Sequence, residues 1–324
     1  MTDLQLQSIA HGVVSLERRS PEYGVMQRRL EVLKMRGKPF RPGYHDYSIA
    51  RGGLQVFPRL VAAEHHDDFD AAQVNSGVAG LDALTGGGLD KGTSTLLMGP
   101  AGSGKSTLAT QYAVAGAARG ERGALFLFEE SRKTFLARSA GLGLDLGSHL
   151  AAGRLTIRQV DPGELSPGEF VHLVRAEVEE GGASMVMIDS LNGYLNAMPE
   201  VRFLSLQLHE LLTYLGQRGV TTLLVVAQHG LVGSSMVTPI DASYLADSVI
   251  LLRFFEAAGQ VRQAISVLKK RSGAHERSIR ELRFGKGGIV VGEPLEEFQG
   301  VLTGVPSYVG PAGPLMKQGS DGRA

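Results

Sequence analysis

The chain has 324 residues, 43% hydrophobic and 20% charged, a composition ordinary for a globular protein of one large or two modest domains. Its 33 lysines and arginines balance 33 aspartates and glutamates, so bulk charge argues for neither a nucleic acid nor a membrane surface. The lack of cysteine excludes a disulfide framework, a thiol nucleophile and a thiolate metal site.

The first residues, MTDLQLQSIAHGVVSLERRS, lack the basic segment and apolar core of a signal peptide. No apolar run approaches the ~20 residues that span a bilayer. A soluble, cytoplasmic protein is expected. Residues 1–60 then partly repeat a later segment. Laid without gaps over Val249–Val291, Val14–Val56 matches at Val14, Leu16, Arg18, Gly24, Val32, Leu33, Lys34, Arg36, Gly52, Gly53 and Val56. The expectation is that residues 1–60 are the C-terminal strands of a first phosphate-binding domain whose own loop is absent.

Residues 61–75, with His65, His66, Asp67 and Asp68, read as a polar linker. Adjacent residues lack the i, i+3 or i, i+4 spacing that converges from one helix face. A turn-rich entry, Ser76–Asp82 and Gly86-Gly-Gly88, leads to the apolar run Ser94–Met98. The stretch Gly99, Pro100, Ala101, Gly102, Ser103, Gly104, Lys105, Ser106 fits G-x-x-x-x-G-K-[ST], and a good helix former begins at Thr107. Strand, glycine loop and helix are the context that the motif requires. Inward-turned N–H groups and a helix N-terminus bind phosphates there. Lys105 would reach the β- and γ-phosphates, and Ser106 would hold Mg²⁺.

Further along, Ala124–Phe128, Leu155–Val160, Met185–Asp189 and Thr221–Ala227 read as strands. They alternate with helices Ser131–Ala140, Gly168–Glu180 and Phe203–Gln217, and Gly141–Leu146 reads as a loop. Apolar strands alternating with helices predict an α/β fold, a mainly parallel twisted sheet flanked by helices. The later strands Ser248–Phe254, Gln263–Lys269, Ile279–Phe284 and Ile289–Val291 suggest an antiparallel extension. Residues 307–324, rich in Gly and Pro, read as a flexible tail.

Ligands of such sheets sit beyond the carboxyl ends of the strands. Asp189 ends an apolar strand, as a Mg²⁺-binding acid should. Glu129 and Glu130 end another, where a carboxylate can activate water. Glu129 is favoured as base and Glu130 as its neighbour or a Mg²⁺ partner. Gln228 is placed to sense the γ-phosphate. Lys269 and Arg271, with His275, form a basic cluster that suits either trans stabilisation of a neighbour's nucleotide or a solvated charge group.

Taken in order, the Ser76–Asp82 entry, Gly86–Gly88, Gly99–Thr107, Phe128–Ser131, Ile188–Ser190, Asp247–Leu252 and the Lys269-x-Arg271-x-x-x-His275 pattern resemble the KaiC family of RecA-like ATPases. The resemblance covers nearly all of residues 12–306. It implies RecA-like P-loop domains, with residues 76–306 complete, in a homo-hexamer with ATP between subunits. It also implies catalysis by the paired glutamates, Lys269 and Arg271 reaching the neighbour's nucleotide, and regulatory protein partners. The family phosphorylates itself on a Ser/Thr pair that falls here on Ser243 and Tyr244, so Ser243 alone matches; Thr238 is a further hydroxyl nearby. In the first copy Phe40 stands where His275 does in the second. Two other classes stay open: a RecA-like DNA-dependent ATPase, and a nucleotide-bound scaffold. Residues 191–198 and 230–237 lack the basic side chains that DNA phosphates need.

Overall fold

The apolar runs read from the sequence form the middle of one large sheet. In the computed structural model, residues 7–20, 24–196, 201–228, 244–302 and 306–310 are described. The chain opens with β1 (Gly12–Arg19), β2 (Gln27–Met35), β3 (Tyr44–Ala50) and β4 (Gly53–Phe57), a four-stranded antiparallel meander. Next come β5 (Gln73–Val74), α1 (Ala79–Leu84), β6 (Leu89–Asp90), β7 (Ser94–Gly99) and α2 (Lys105–Ala118). They are followed by β8 (Gly123–Leu127), α3 (Arg132–Gly141), α4 (Leu146–Ala151), β9 (Leu155–Gln159), α5 (Pro167–Glu179) and β10 (Met185–Asp189). The second half holds α6 (Leu191–Asn196), α7 (Val201–Gln217), β11 (Thr221–Ala227), β12 (Ser248–Ala257), β13 (Gln260–Lys270), β14 (Arg280–Gly285) and β15 (Gly288–Pro294). A short pair, β16 (Phe298–Gln299) and β17 (Ser307–Tyr308), ends the described chain.

The nine-stranded sheet runs β15-β14-β13-β12-β7-β11-β10-β8-β9. From β9 to β12 neighbouring strands are parallel, and from β12 to β15 they are antiparallel, as the strand pattern suggests. Each face is covered. Leu96, Met98, Ile188 and Leu251 pack with α5 and α7, while Leu97, Val225, Ile250 and Leu252 pack with α1 and α2. A fully buried leucine contributes about 1.5–3 kcal/mol, so a sheet apolar on both faces settles at the centre.

Local signals set the helix ends. Ser166 Oγ accepts the Glu169 amide, Pro167 occupies the first turn, and Phe170, Val171, Val174 and Val178 form the buried stripe of α5. α4 falls just past the stretch read as a loop; Asp145 caps it by accepting the Ser148 amide. Residues 61–75 are packed on the domain: Ala62 is buried, its amide donates to Glu210, and Asp67 pairs with Arg218 at 2.7 Å. His65 stands edge-on to Tyr214. Among the described residues no group of three or more His, Asp or Glu is placed to hold a metal. No helix among them is long and apolar enough to cross a membrane.

The two halves of the repeat fold alike. Tyr47 pairs with Val56 as Leu282 pairs with Val291, and Leu30 pairs with His45 as Ile265 pairs with Arg280. The first strand corrects the gapless alignment. A bulge falls between Val13 and Val14 in one copy and between Val249 and Ile250 in the other, so Val14 takes the place of Ile250 rather than Val249. A one-residue slip exchanges the faces of a strand, so Arg18 corresponds to Phe254 and not to Arg253.

Candidate active site

β7 lies between β11 and β12, and the strands to its β9 side end together. Gly99 pairs with Ala227, and Asp189 pairs with both Val225 and Leu127. The residues that follow therefore meet at one edge. Gly104 precedes α2 at φ +99°, and a Cβ there would stand 2.1 Å from the Phe284 ring. A Cβ at Gly99 would approach Leu252 O to 2.5 Å. Only glycine fits these two positions of the loop.

Lys105, at the start of α2, is buried, and its Nζ donates to Pro100 O at 2.7 Å. Burial pushes its pKa down to about 8, against the opposing pull of Asp189 and Glu129. Burial in turn raises the Asp189 carboxyl, while a hydrogen bond from the neighbouring Ser106 hydroxyl and the charge of Arg138 lower it. Thr107, one residue on, is buried and bonded to Arg138.

The paired glutamates diverge just past the end of β8. Glu129 Oε1 accepts the Ser190 hydroxyl at 2.9 Å. Glu130 is held by both sides of the Arg138 guanidinium at 2.8 and 3.2 Å, and the same guanidinium reaches Thr107 Oγ1 at 3.0 Å. The sequence assigns no site role to Ser190, which appears there only within the Ile188–Ser190 stretch, and none to Arg138. Ser190 follows Asp189 directly and was legible as a polar strand end. Arg138 carried no signal, since only the packing of α3 against α2 brings it there.

Gln228 follows β11 and donates its backbone amide to Gly99 O at 3.0 Å. Its side chain is 5% exposed, yet both amide atoms lack a hydrogen-bond partner among the described residues. A buried amide beside the loop with its bonding unmet suits a polar ligand. The donor set fits a magnesium nucleotide: a glycine loop that leads into a helix N-terminus, a buried lysine, and oxygen atoms on Ser106 and Asp189 of the hard kind that Mg²⁺ takes.

The basic cluster lies elsewhere. Lys269 pairs with Val249 beside Leu96, so it stands near the start of β7, roughly 10 Å down the strand from Gly99. Its Nζ donates to Ala246 O at 2.7 Å, and Arg271 bonds Asp247 and Tyr244 O. His275 follows Ala274, whose carbonyl fills the space of a Gly86 side chain. None of the three joins the loop of its own chain. Ser243 and Thr238 lie outside the described residues.

A P-loop ending the central strand of a parallel sheet, with an acid two strands away, defines a P-loop protein of RecA-like fold. More narrowly, the chain belongs to the KaiC ATPase family: residues 74–296 match the family model described as "ATPase: KaiC". It is 27% identical over 283 residues to the circadian clock oscillator protein KaiC of Picosynechococcus sp., covering 87% of this chain and 54% of that protein. It is 29% identical to the circadian clock protein KaiC3 of Synechocystis sp., covering 87% and 56%. The chain thus spans about half the length of the curated relatives it matches.

Proposed function

We propose that this chain is a Mg²⁺-dependent ATP hydrolase whose general base is Glu129. The observation that carries the reading is the Ser190–Glu129 hydrogen bond at the edge where Lys105 and Asp189 converge. Residues 99–107 hold the phosphates through backbone N–H groups and Lys105. Ser106 and Asp189 would hold Mg²⁺, which would supply positive charge against the phosphates. Glu129 accepts the proton of the attacking water, and Ser190 fixes which carboxylate oxygen faces it. Gln228 donates towards the γ-phosphate. Glu130, engaged by Arg138, supports the loop helix through Thr107 rather than binding water.

Lys269, Arg271 and His275 act on the nucleotide of a neighbouring copy. The place of Lys269 and Arg271 near the start of β7, away from their own loop, supports a site shared between subunits. That geometry suits a homo-hexamer with ATP at its interfaces. Autophosphorylation at Ser243, a signalling or timing role, regulatory protein partners and a cytoplasmic setting complete the reading by likeness to the KaiC relatives. The DNA-dependent alternative is disfavoured by α6, Leu191–Asn196, which carries no basic residue after Asp189.

The test is incubation with γ-³²P-ATP and Mg²⁺, following released phosphate and protein-bound label together with native mass. Label on a hexamer, lost in Ser243→Ala, supports hydrolase and autokinase. Phosphate release without label removes the kinase. No release and no label removes both.

A further inference from the structure

We infer that the side chains of Arg253, Gln228 and Ser103 together bind a phosphoryl oxyanion beside the first residue of the phosphate loop. The inference rests on the nucleotide reading above and adds to it a cation of the same chain, Arg253 on β12.

Arg253 is a charge without a counter-charge. Its side chain is 8% exposed, and its Nε and Nη2 meet no hydrogen-bond partner among the described residues. Burial lowers its pKa, and no carboxylate acts against that shift. On its strand it separates two apolar groups. Leu251 belongs to the main core with Val249, while Phe255 packs outside it with Val301 and with Ala264, the residue that pairs with Arg253. A cation taken out of water in this way destabilises the fold unless an anion offsets it. Other buried polar groups without partners differ: the Tyr112 and Tyr194 hydroxyls are neutral and lie within the apolar core.

The backbone beside Arg253 passes Gly99, and two more unmet groups stand around that glycine. The Leu252 carbonyl lies 2.5 Å from a Cβ built on Gly99, and Ser103 Oγ lies 2.8 Å from the same point. Ser103 is fully buried, with no partner for its hydroxyl among the described residues. On the other side Gln228 donates its backbone amide to Gly99 O and leaves both side-chain amide atoms unbonded among the described residues. Strand alternation sets Arg253 and Gln228 on one face of the sheet. Val249 and Leu251 precede Arg253 in steps of two, as Leu224 and Val226 precede Gln228, and all four belong to the core under α5 and α7. With β7 between their strands the two backbones stand ~10 Å apart, a span that an arginine and a glutamine close around one phosphoryl group.

The donors choose the ligand. A guanidinium fork, a hydroxyl and an amide on different sides of Gly99 suit the three outer oxygens of a tetrahedral phosphoryl group better than the flat edge of a carboxylate. Two sources offer that chemistry: the γ-phosphate of bound ATP, and free inorganic phosphate beside ADP.

The experiment measures binding by the full chain without turnover, so a chain that fails to hydrolyse ATP still decides it. Affinities are compared for Mg²⁺ with ADP, for Mg²⁺ with the non-hydrolysable imido analogue of ATP, and for ³²P-labelled inorganic phosphate beside saturating ADP. Arg253→Met is expected to weaken the analogue or the phosphate by roughly tenfold or more, the scale of a lost hydrogen bond to a charged group, and ADP by less than about twofold. Arg253→Lys keeps the charge without the fork and should lose less. Loss with the analogue assigns the site to the γ-phosphate of bound ATP; loss of phosphate held beside ADP assigns it to the free ion. Arg253→Met should also melt no lower than the parent, since an apolar side chain replaces an unpaired buried charge. A variant that melts lower or fails to fold makes the guanidinium a structural group and overturns the inference. Unchanged binding of both analogue and phosphate overturns it too, as does a loss that extends equally to ADP.

Discussion

The Ser190 hydroxyl donates to Glu129 Oε1 at 2.9 Å, and this bond separates two glutamates that the sequence places side by side. Their neighbours assign them different work: Glu129 is oriented by a neutral hydroxyl, while Glu130 is engaged by a guanidinium.

Glu129→Gln is expected to lower kcat by about 10²–10⁴ while leaving ATP binding intact, since a general base contributes in that range. Ser190→Ala should lower kcat by less, because the base remains but loses its orienting bond. Steady-state hydrolysis with a separate ATP-binding titration checks both. Full turnover in Glu129→Gln would remove the residue from the role.

Arg138→Ala is expected to change stability by no more than about 1 kcal/mol, since its pair with Glu130 is partly exposed. Its effect should appear in the pH profile. The Arg138 charge lowers the Asp189 carboxyl, which burial raises. Without it the acid limb of hydrolysis should move to higher pH, and an unmoved limb would argue against that coupling.

Gly104→Ala is expected to cost more than the roughly 1–2 kcal/mol of a side chain at positive φ, because the added methyl also meets the Phe284 ring. Thermal unfolding should show the loss, and nucleotide binding should fall with it. Gly120→Ala, also at positive φ but in open space, should cost only the backbone strain.

Lys105 titrates at about 8 in the folded chain, below the ~10.4 of an unfolded lysine. Between those values the unfolded chain binds more protons, so stability rises with pH across the window, and below it the whole burial cost is present. Lys105→Met should flatten that rise in denaturant titrations. Nucleotide phosphates favour charged lysine, so ATP binding above about pH 8 should take up a proton. Calorimetry in buffers of different ionisation enthalpy reads that uptake, and equal heats would exclude it.

Lys105→Ala and Arg271→Ala should each abolish hydrolysis. If Arg271 acts across an interface, mixing the two variants restores activity, because about a quarter of randomly formed interfaces pair an intact loop with an intact arginine. A mixture as inactive as its parts would confine both residues to one chain.

The phosphate loop and the ends of β8, β10 and β11 were legible because their signals are local. An apolar run followed by a glycine loop or an acid is fixed by neighbours in sequence. The α4 helix was missed because Gly141 and Gly143 mask the start signal at Asp145. The strand repeat was visible, but its register was not. Both copies carry the same bulge, and the slip arises because the β1–β2 connection is one residue longer than the β12–β13 connection, which a gapless comparison hides.

Sequence alone thus determined the fold class and the residues that reach the strand ends, since strand period, glycine conformation and helix capping act over a few residues. Tertiary structure decided the rest. It engaged Glu130 with Arg138, left the Gln228 amide unpaired, and set Lys269 and Arg271 near the far end of β7. Those outcomes depend on which elements pack together across long stretches of chain, and no local pattern carries that information.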